Sequence, residues 1–200
     1  MSDHYYSKTP GAESNPQWWN FTLRGHNMRF KTDQGVFSKN EVDFGSRVLI
    51  EEFTEPNVEG PLLDVGCGYG PIGLSLAKSF ENRDVHLVDV NNRALDLARE
   101  NAVQNDVSSV KVYESDCLDQ VTSSDFAAIL TNPPIRAGKK TVHRILEQSA
   151  DRLTLGGELW VVIQKKQGAP SAKVKLEELL GNAEVVTKKK GYYILRAKRV

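Results

Sequence analysis

The sequence predicts an α/β protein: a doubly wound, mostly parallel sheet of seven strands with an antiparallel terminal hairpin, preceded by a small β-hairpin and a helix. Three observations predict it. From Gly60 onward, short β-type runs alternate with helical periodicity, the pattern of strand–helix–strand units packed on a parallel sheet. The first of those runs empties into "DVGCGYG", Asp64 to Gly70, a glycine turn of the kind such sheets carry at the carboxyl end of a strand. The last two runs are parted only by a turn at Gly191, too short for a crossover, so they pair antiparallel. The predicted organisation is an extension over residues 1–59 and one compact domain over residues 60–200.

Each element has its own signal. "WNFTLRGHNMRFKT" alternates apolar and polar residues on both sides of Gly25, with Phe21 and Leu23 answered by Met28 and Phe30, which reads as a hairpin. "GVFSKNEVDFGSRVLIEEF" supplies a loop and then a helix with Val48, Leu49 and Phe53 as its apolar stripe. "PLLDV" is a short buried strand. Pro71 can open the next helix, where its missing N–H is not needed, and Ile72, Leu76 and Phe80 share one face. "DVHLVDV" is the second strand, and "NNRALDLARENAVQN" the second helix, capped by Asn91 or Asn92. "VKVYE" and "FAAILTN" are the third and fourth strands. "GKKTVHRILEQSADRL" is a helix with Val142, Ile145, Leu146 and Leu153 inward, and "GELWVVIQ" is the fifth strand. "SAKVKLEELLG" is a helix closed by Gly181. "AEVVTKKK" and "YYILRAKR" form the terminal hairpin.

Composition narrows the class. The chain has 200 residues and only two cysteines, Cys67 and Cys117, which argues for a reducing compartment and against a disulfide framework. The N-terminal stretch lacks the apolar core of a secretory signal, and runs such as "LWVVI" are too short to span a bilayer. The cytoplasm is the expected location, with no membrane partner. No spacing of Cys and His suggests a metal site. The formal net charge of zero hides a split. Residues 136–200 carry fifteen Lys/Arg against six Asp/Glu, and residues 1–135 carry eleven against twenty. A basic C-terminal side points to a polyanionic partner, unless those lysines serve only solubility.

The glycine turn contains a formal G-x-G-x-x-G, Gly68, Gly70 and Gly73, with an additional Gly66 and an acid at Asp64. The spacing alone fits a dinucleotide. Asp64 argues otherwise. A carboxylate at the mouth of the first strand attracts an ammonium and a sulfonium, as in S-adenosylmethionine, and repels a pyrophosphate. Asp89, about twenty residues on, suits a ribose hydroxyl in either cofactor. Asp116, in "SDC" after the third strand, can accept from an adenine amino group. Cys67 and Cys117 flank the same place and read as small hydrophobes.

"DVGCGYG", "DVN", "SDC" and "NPP" stand in the order found in Rossmann-like class I S-adenosylmethionine-dependent methyltransferases, which residues 60–200 resemble throughout. With "GVFSKNEVDFGSRVLIE" ahead of them, the whole chain resembles the small-domain family of 16S ribosomal RNA guanine-N2 methyltransferases, in particular its single-domain members. The resemblance implies S-adenosylmethionine over Gly66, Cys67, Gly68 and Gly70, with Asp64, Asp89, Asp116, Cys117 and Asn132 around it. Phe37 would help to wall the cofactor or the base. It implies methylation of an exocyclic amino nitrogen, with ribosomal RNA or the small ribosomal subunit as partner. A release-factor glutamine methyltransferase uses the same Asn-Pro-Pro logic, and a non-catalytic RNA-binding module with this fold is the reading from another class.

The reacting end is "NPPI", Asn132, Pro133, Pro134 and Ile135. Two prolines stiffen the backbone and donate no N–H. Asn132 Oδ1 and the Pro133 carbonyl can each accept one hydrogen of an amino group and aim its lone pair at the sulfonium methyl. The leaving group is a neutral thioether, so positioning and electrostatics suffice. The family usually has an aromatic residue after the prolines, to stack on a planar substrate; here Ile135 stands in its place. Tyr5, Tyr6, Trp18 and Trp19 are further stacking candidates. Arg136, Lys139, Lys140 and Arg144 are placed to bind phosphates beside the target nucleotide, with Lys165 and Lys166 at the same rim. Lys188, Lys189 and Lys190 are expected on the far hairpin turn, at the opposite edge. His143 is expected toward solvent or the basic rim.

Overall fold

The computed structural model describes residues 6–200; Tyr5 lies outside them. The chain enters through a hairpin of β1 (Gln17–Leu23) and β2 (His26–Thr32), followed by α1 (Phe44–Glu52). It then runs β3 (Leu62–Val65), α2 (Pro71–Ser79), β4 (Val85–Asp89), α3 (Asn92–Gln104), β5 (Val110–Glu114), β6 (Phe126–Thr131), α4 (Lys139–Arg152), β7 (Leu153–Gln164) and α5 (Ala169–Leu180). The hairpin of β8 (Glu184–Lys189) and β9 (Tyr192–Lys198) closes it.

Strands β3 to β9 form one sheet in the order β5-β4-β3-β6-β7-β9-β8. The pairs from β5 across to β7 are parallel, and β9 is antiparallel to both β7 and β8. This is the doubly wound sheet with an antiparallel end that the alternation predicts. The chain winds outward from β3 to β5 and then returns to β6 on the other side of β3. That reversal opens a crevice at the carboxyl ends of β3 and β6.

Both faces are covered. On one, Leu49, Ile72, Leu76 and Leu95 of α1, α2 and α3 join Leu62 and Val85 of the sheet, together with Leu23, Met28 and Phe30 of the hairpin. On the other, Ile145 and Leu146 of α4 and Leu176 of α5 pack on Leu63, Ile129 and Val161. The local signals hold: Asn91 caps α3 by accepting from Ala94 N–H, Pro71 opens α2, and Gly181 ends α5 in the left-handed region.

Two places differ from the sequence reading. Leu153 is the first residue of β7 rather than the last inward residue of α4, and it pairs with Phe126 before a register shift carries Ala128 to Glu158. Gly157 permits that shift, because a Cβ there would lie 2.7 Å from the Phe126 carbonyl oxygen. Second, the β8–β9 turn is not at the opposite edge. Tyr192 pairs with Gln164, at the carboxyl end of β7, so Lys188, Lys189 and Lys190 lie at the same edge as the crevice.

The hairpin is bound to the sheet domain by two amides one helical turn apart, Asn101 on α3 and Asn105 at its C-cap. Asn101 Oδ1 accepts from Lys31 N–H and its Nδ2 donates to the Lys31 and Tyr69 carbonyls. Asn105 does the same for Arg29, accepting from its N–H and donating to its carbonyl. These side chains take the place of a strand beside β2 and satisfy backbone groups that would otherwise stay unpaired.

Candidate active site

A cleft of about 720 Å³ opens over the carboxyl edge. The loops after β3, β4, β5, β6 and β7, Tyr192 at the start of β9 and the segment from Gln34 to Asp43 line it. The floor is the glycine turn. Gly66 and Cys67 both donate their N–H to the Val88 carbonyl at 2.9 Å, which draws the turn across the end of β4. Gly66 and Gly68 have φ of 73° and 56°, and a Cβ on either would meet nothing within 4 Å. The turn is therefore a bare backbone cradle, in a conformation that favours glycine.

Asp89 stands beside the cradle. Its Oδ2 accepts from Gly68 N–H and its Oδ1 from Asn91 N–H, both at 2.8 Å. Burial raises its pKa above the usual carboxylate range, and the N–H donors oppose that rise. Two carboxylate oxygens fixed by backbone leave lone pairs for a diol, the geometry a ribose asks for.

Asp64 lies beneath. It is fully buried and does not line the cleft. Its Oδ2 accepts from Gly73 N–H at 2.9 Å, while its Oδ1 has no partner among the described residues. Burial, reinforced by the nearby charge of Asp89 and opposed by the Gly73 N–H, pushes its pKa up to about 7. A buried carboxylate oxygen without a donor, under an open cradle, suits a cationic ligand above it.

At the third strand end, Ser115 and Cys117 line the cleft and Asp116 does not. The exposed Asp116 carboxylate meets Arg144 at 3.4 Å and the Tyr6 hydroxyl at 3.4 Å. Tyr6 also lines the cleft, so it covers this end. Cys67 and Cys117 are buried free thiols, and burial raises the pKa of both.

Asn132, Pro133, Pro134 and Ile135 all line the cleft, opposite Asp89. The amide of Asn132 is held by α1. Asp43 caps that helix, its Oδ2 accepting from Ser46 N–H. Asn132 Nδ2 donates to Ser46 Oγ at 3.0 Å and to both oxygens of Asp43 at 3.3 Å. A carboxylate can only accept, so it turns the NH2 side of the amide toward itself. Asn132 Oδ1 then receives no donor among the described residues. Asp43 and Ser46 had no place in the sequence reading; Asp43 was visible only as a potential helix cap ahead of an apolar stripe.

The segment before α1 forms the far wall. Tyr69, from the glycine turn, donates its hydroxyl toward the Ser38 and Glu41 carbonyls at 3.3 and 3.2 Å. Trp19 donates to the Lys39 carbonyl at 3.1 Å and packs edge-on against Tyr69. Phe37 lines the cleft and is 46% exposed. The other aromatic candidates separate: Trp19 serves packing, and Trp18 lies on the surface beneath Arg29 and Lys31.

Of the four basic candidates, Arg136 lines the cleft, and Lys139 and Lys140 are exposed at the start of α4. Arg144 is occupied, paired to Asp119 and Asp116. His143 faces α5, its Nε2 3.2 Å from Ser171 Oγ. Among the described residues no cluster of three or more His, Cys, Asp or Glu is set to hold a metal, and no helix is long and apolar enough to cross a membrane.

Comparison with known proteins agrees with this geometry. Residues 27–196 match the family model of the methyltransferase small domain. The Bacillus subtilis (strain 168) protein YbxB is 62% identical over 201 residues, covering all of both chains. Ribosomal RNA small subunit methyltransferase C of Vibrio cholerae is 31% identical over 96% of this chain and 56% of its own length. The T. thermophilus 16S rRNA N2 G1207 methyltransferase RsmC, solved with AdoMet and guanosine, superposes with a TM-score of 0.83 at 25% identity, over 96% of this chain and 52% of that one. The chain thus spans about half the length of these methyltransferase relatives. Glycine cradle, sheet order and relatives together make it an S-adenosylmethionine-dependent member of the methyltransferase small-domain family.

Proposed function

We propose that this protein transfers a methyl group to the exocyclic N2 of a guanine in small-subunit ribosomal RNA. The observation that carries the reading is the held amide of Asn132. Its NH2 is spent on Asp43 and Ser46, which leaves Oδ1 as an acceptor at the cleft. An exocyclic amino group has two hydrogens to place. One goes to Asn132 Oδ1 and the other to the Pro133 carbonyl, and the nitrogen lone pair is then directed away from both, toward the cradle. Accepting both hydrogens also pulls the planar nitrogen toward a tetrahedral form, where its lone pair is available to take the methyl as the carbon–sulfur bond breaks; the methylated nitrogen then gives up one proton to water. The fixed prolines supply this alignment before the substrate arrives, which is how a positioning site lowers a barrier.

When bound, S-adenosylmethionine supplies an electrophilic methyl on a sulfonium. On this reading Gly66 and Gly68 let the cofactor approach the backbone, Asp89 holds the ribose hydroxyls, and the buried charge of Asp64 acts on the ammonium from beneath the glycine turn, without lining the cleft. Ile135 and Phe37 give the base apolar walls, and Arg136, Lys139 and Lys140 take flanking phosphates. The name of the Vibrio cholerae relative supports small-subunit ribosomal RNA as substrate, and that of the T. thermophilus structure supports guanine N2.

The test is to supply methyl-labelled cofactor with naked 16S ribosomal RNA, with small subunits and with a release factor, each in turn. Label is expected in N2-methylguanosine after nuclease digestion. Label recovered on a glutamine of the release factor, with the RNA unmodified, would replace this reading with a protein substrate.

A further inference from the structure

The excess positive charge follows residue 136, and the topology decides where it goes. Because β9 runs antiparallel to β7, the β8–β9 turn comes back to the carboxyl edge. Lys165 N–H donates to the Gly191 carbonyl at 2.9 Å, so the loop after β7 and this turn form one ledge. Lys165, Lys166, Lys188 and Lys190 stand on it, all exposed. Lys189 differs, being paired with Glu52 at 2.6 Å.

None of the other four makes an ion pair among the described residues. Lys188 and Lys190 rest on rings instead, 4.7 Å from the centroid of Tyr193 and 4.8 Å from that of Phe44. A ring face steadies an ammonium without cancelling its charge. Lys190 also sits at φ 49° in the tip of the turn, a conformation for which Asn, Asp or Gly is the ordinary choice.

The ledge borders the reacting end. Gln164, Gln167 and Tyr192 line the cleft, and Phe44 lies between Asp43 and Ser46, which hold Asn132. Across the cleft, at and beyond the ends of β4 and β5, the four acids Asp89, Glu114, Asp116 and Asp119 have only two paired cations between them among the described residues, Lys8 on Glu114 and Arg144 on Asp116 and Asp119. A polyanion therefore meets unpaired positive charge on one side of the cleft and an excess of acids, largely paired, on the other.

We infer that this ledge is a docking surface for the sugar–phosphate backbone of single-stranded RNA flanking the target base. The inference rests on the RNA reading above and gives it a direction: the strand crosses the β7–β9–β8 side, from the turn toward Arg136. Single-stranded RNA is the form that fits, because a base paired in a helix cannot present its amino group to a cleft.

The test uses full-length protein and 16S ribosomal RNA, with Lys165→Ala/Lys166→Ala and Lys188→Ala/Lys190→Ala as double variants. Lys111→Ala/Lys198→Ala, away from the ledge, is the control. Each neutralised phosphate contributes about 0.7 to the slope of log affinity against log salt on a single strand. Each ledge pair should therefore lower the slope by about 1.4. KM for RNA should rise about tenfold or more at low salt, with kcat, S-adenosylmethionine affinity and melting temperature unchanged. Ledge variants with the slope and KM of the wild type, on an RNA that is still methylated, would overturn the surface and leave the function standing. A wild-type protein that leaves the RNA unmodified would overturn the function itself, and the ledge with it.

Discussion

The amide of Asn132 answers to residues far upstream, Asp43 and Ser46, and its orientation follows from what a carboxylate can do. Asn132→Asp puts a second carboxylate against the first and removes the donor. We expect kcat to fall by about a hundredfold or more, the scale of losing one aligned hydrogen-bonding group, with S-adenosylmethionine affinity little changed. Asp43→Asn in that background restores an amide facing a carboxylate, and still caps α1, because Asn is as good a cap as Asp. It should recover most of the lost kcat; a double variant as slow as the single one would show that Asp43 acts only on the helix. Asp64 carries a second prediction. Its carboxyl titrates at about 7 because burial disfavours the charged form. A carboxyl raised above its unfolded value contributes stability that is full below the unfolded pKa, about 4, and lost as pH climbs through 7. A cation over the cradle reverses that preference. The Kd for S-adenosylmethionine should therefore fall as pH rises from about 6 to 8, and below 7 binding should release a proton. Calorimetry in two buffers of different ionisation heat reads that proton. Asp64→Asn should flatten the dependence, and a flat wild-type profile would place the ammonium elsewhere.

At the scale of elements, the parts of the fold with local punctuation were legible and the parts fixed by distant pairing were not. Pro71, Asn91 and Gly181 mark helix ends by chemistry that acts within one turn, and each does so in the structure. The start of β7 depends on Phe126 accepting Leu153 as a neighbour, and nothing near Leu153 announces that. The lysine turn was misplaced for the same reason: a hairpin's edge depends on which way its strands run in the sheet. In the site, the glycine cradle and Asn-Pro-Pro are contiguous and could be read directly. The hold of Asp43 on Asn132 joins residues 89 positions apart and could not. Asn101 shows the same limit on α3, where it reads as an ordinary helix residue but is fully buried and serves the backbone of Lys31 in β2 and of Tyr69 in the glycine turn. Asn101→Ala would orphan the Lys31 N–H at the cost of about 1–3 kcal/mol. The check is urea unfolding, with a lower midpoint and an unchanged m-value expected. Asn101→Ala at wild-type stability would mean that water reaches β2.

Whether the first 59 residues are an appendage is a question about the whole molecule. Their hairpin buries Leu23, Met28 and Phe30 in the same cluster as Leu62, Leu74 and Val85 of the sheet domain. Phe53 of α1's end packs against Trp160 of β7 and Phe80 after α2, with centroids 5.3 and 5.8 Å apart. Arg24 at the hairpin tip donates to the Ile50 and Phe53 carbonyls. The amides of α3 pin β2, and Trp19 and Tyr69 tie the wall of the cleft to the glycine turn. A core shared in this way cannot lose one part cheaply, because removing the hairpin exposes apolar surface on α1, α2 and α3 at about 25 cal/mol per Å². The chain should therefore unfold as one unit. The tryptophans report on both halves: Trp18 and Trp19 in the hairpin, Trp160 in the sheet. In a Trp160→Phe variant, fluorescence follows the hairpin while far-ultraviolet circular dichroism follows the sheet and helices. The two transitions should coincide in urea, as they do for a single cooperative domain. A hairpin signal lost at clearly lower denaturant, with the dichroism intact, would instead make the first 59 residues a separate unit. The wall of the cleft would then come and go independently of its floor.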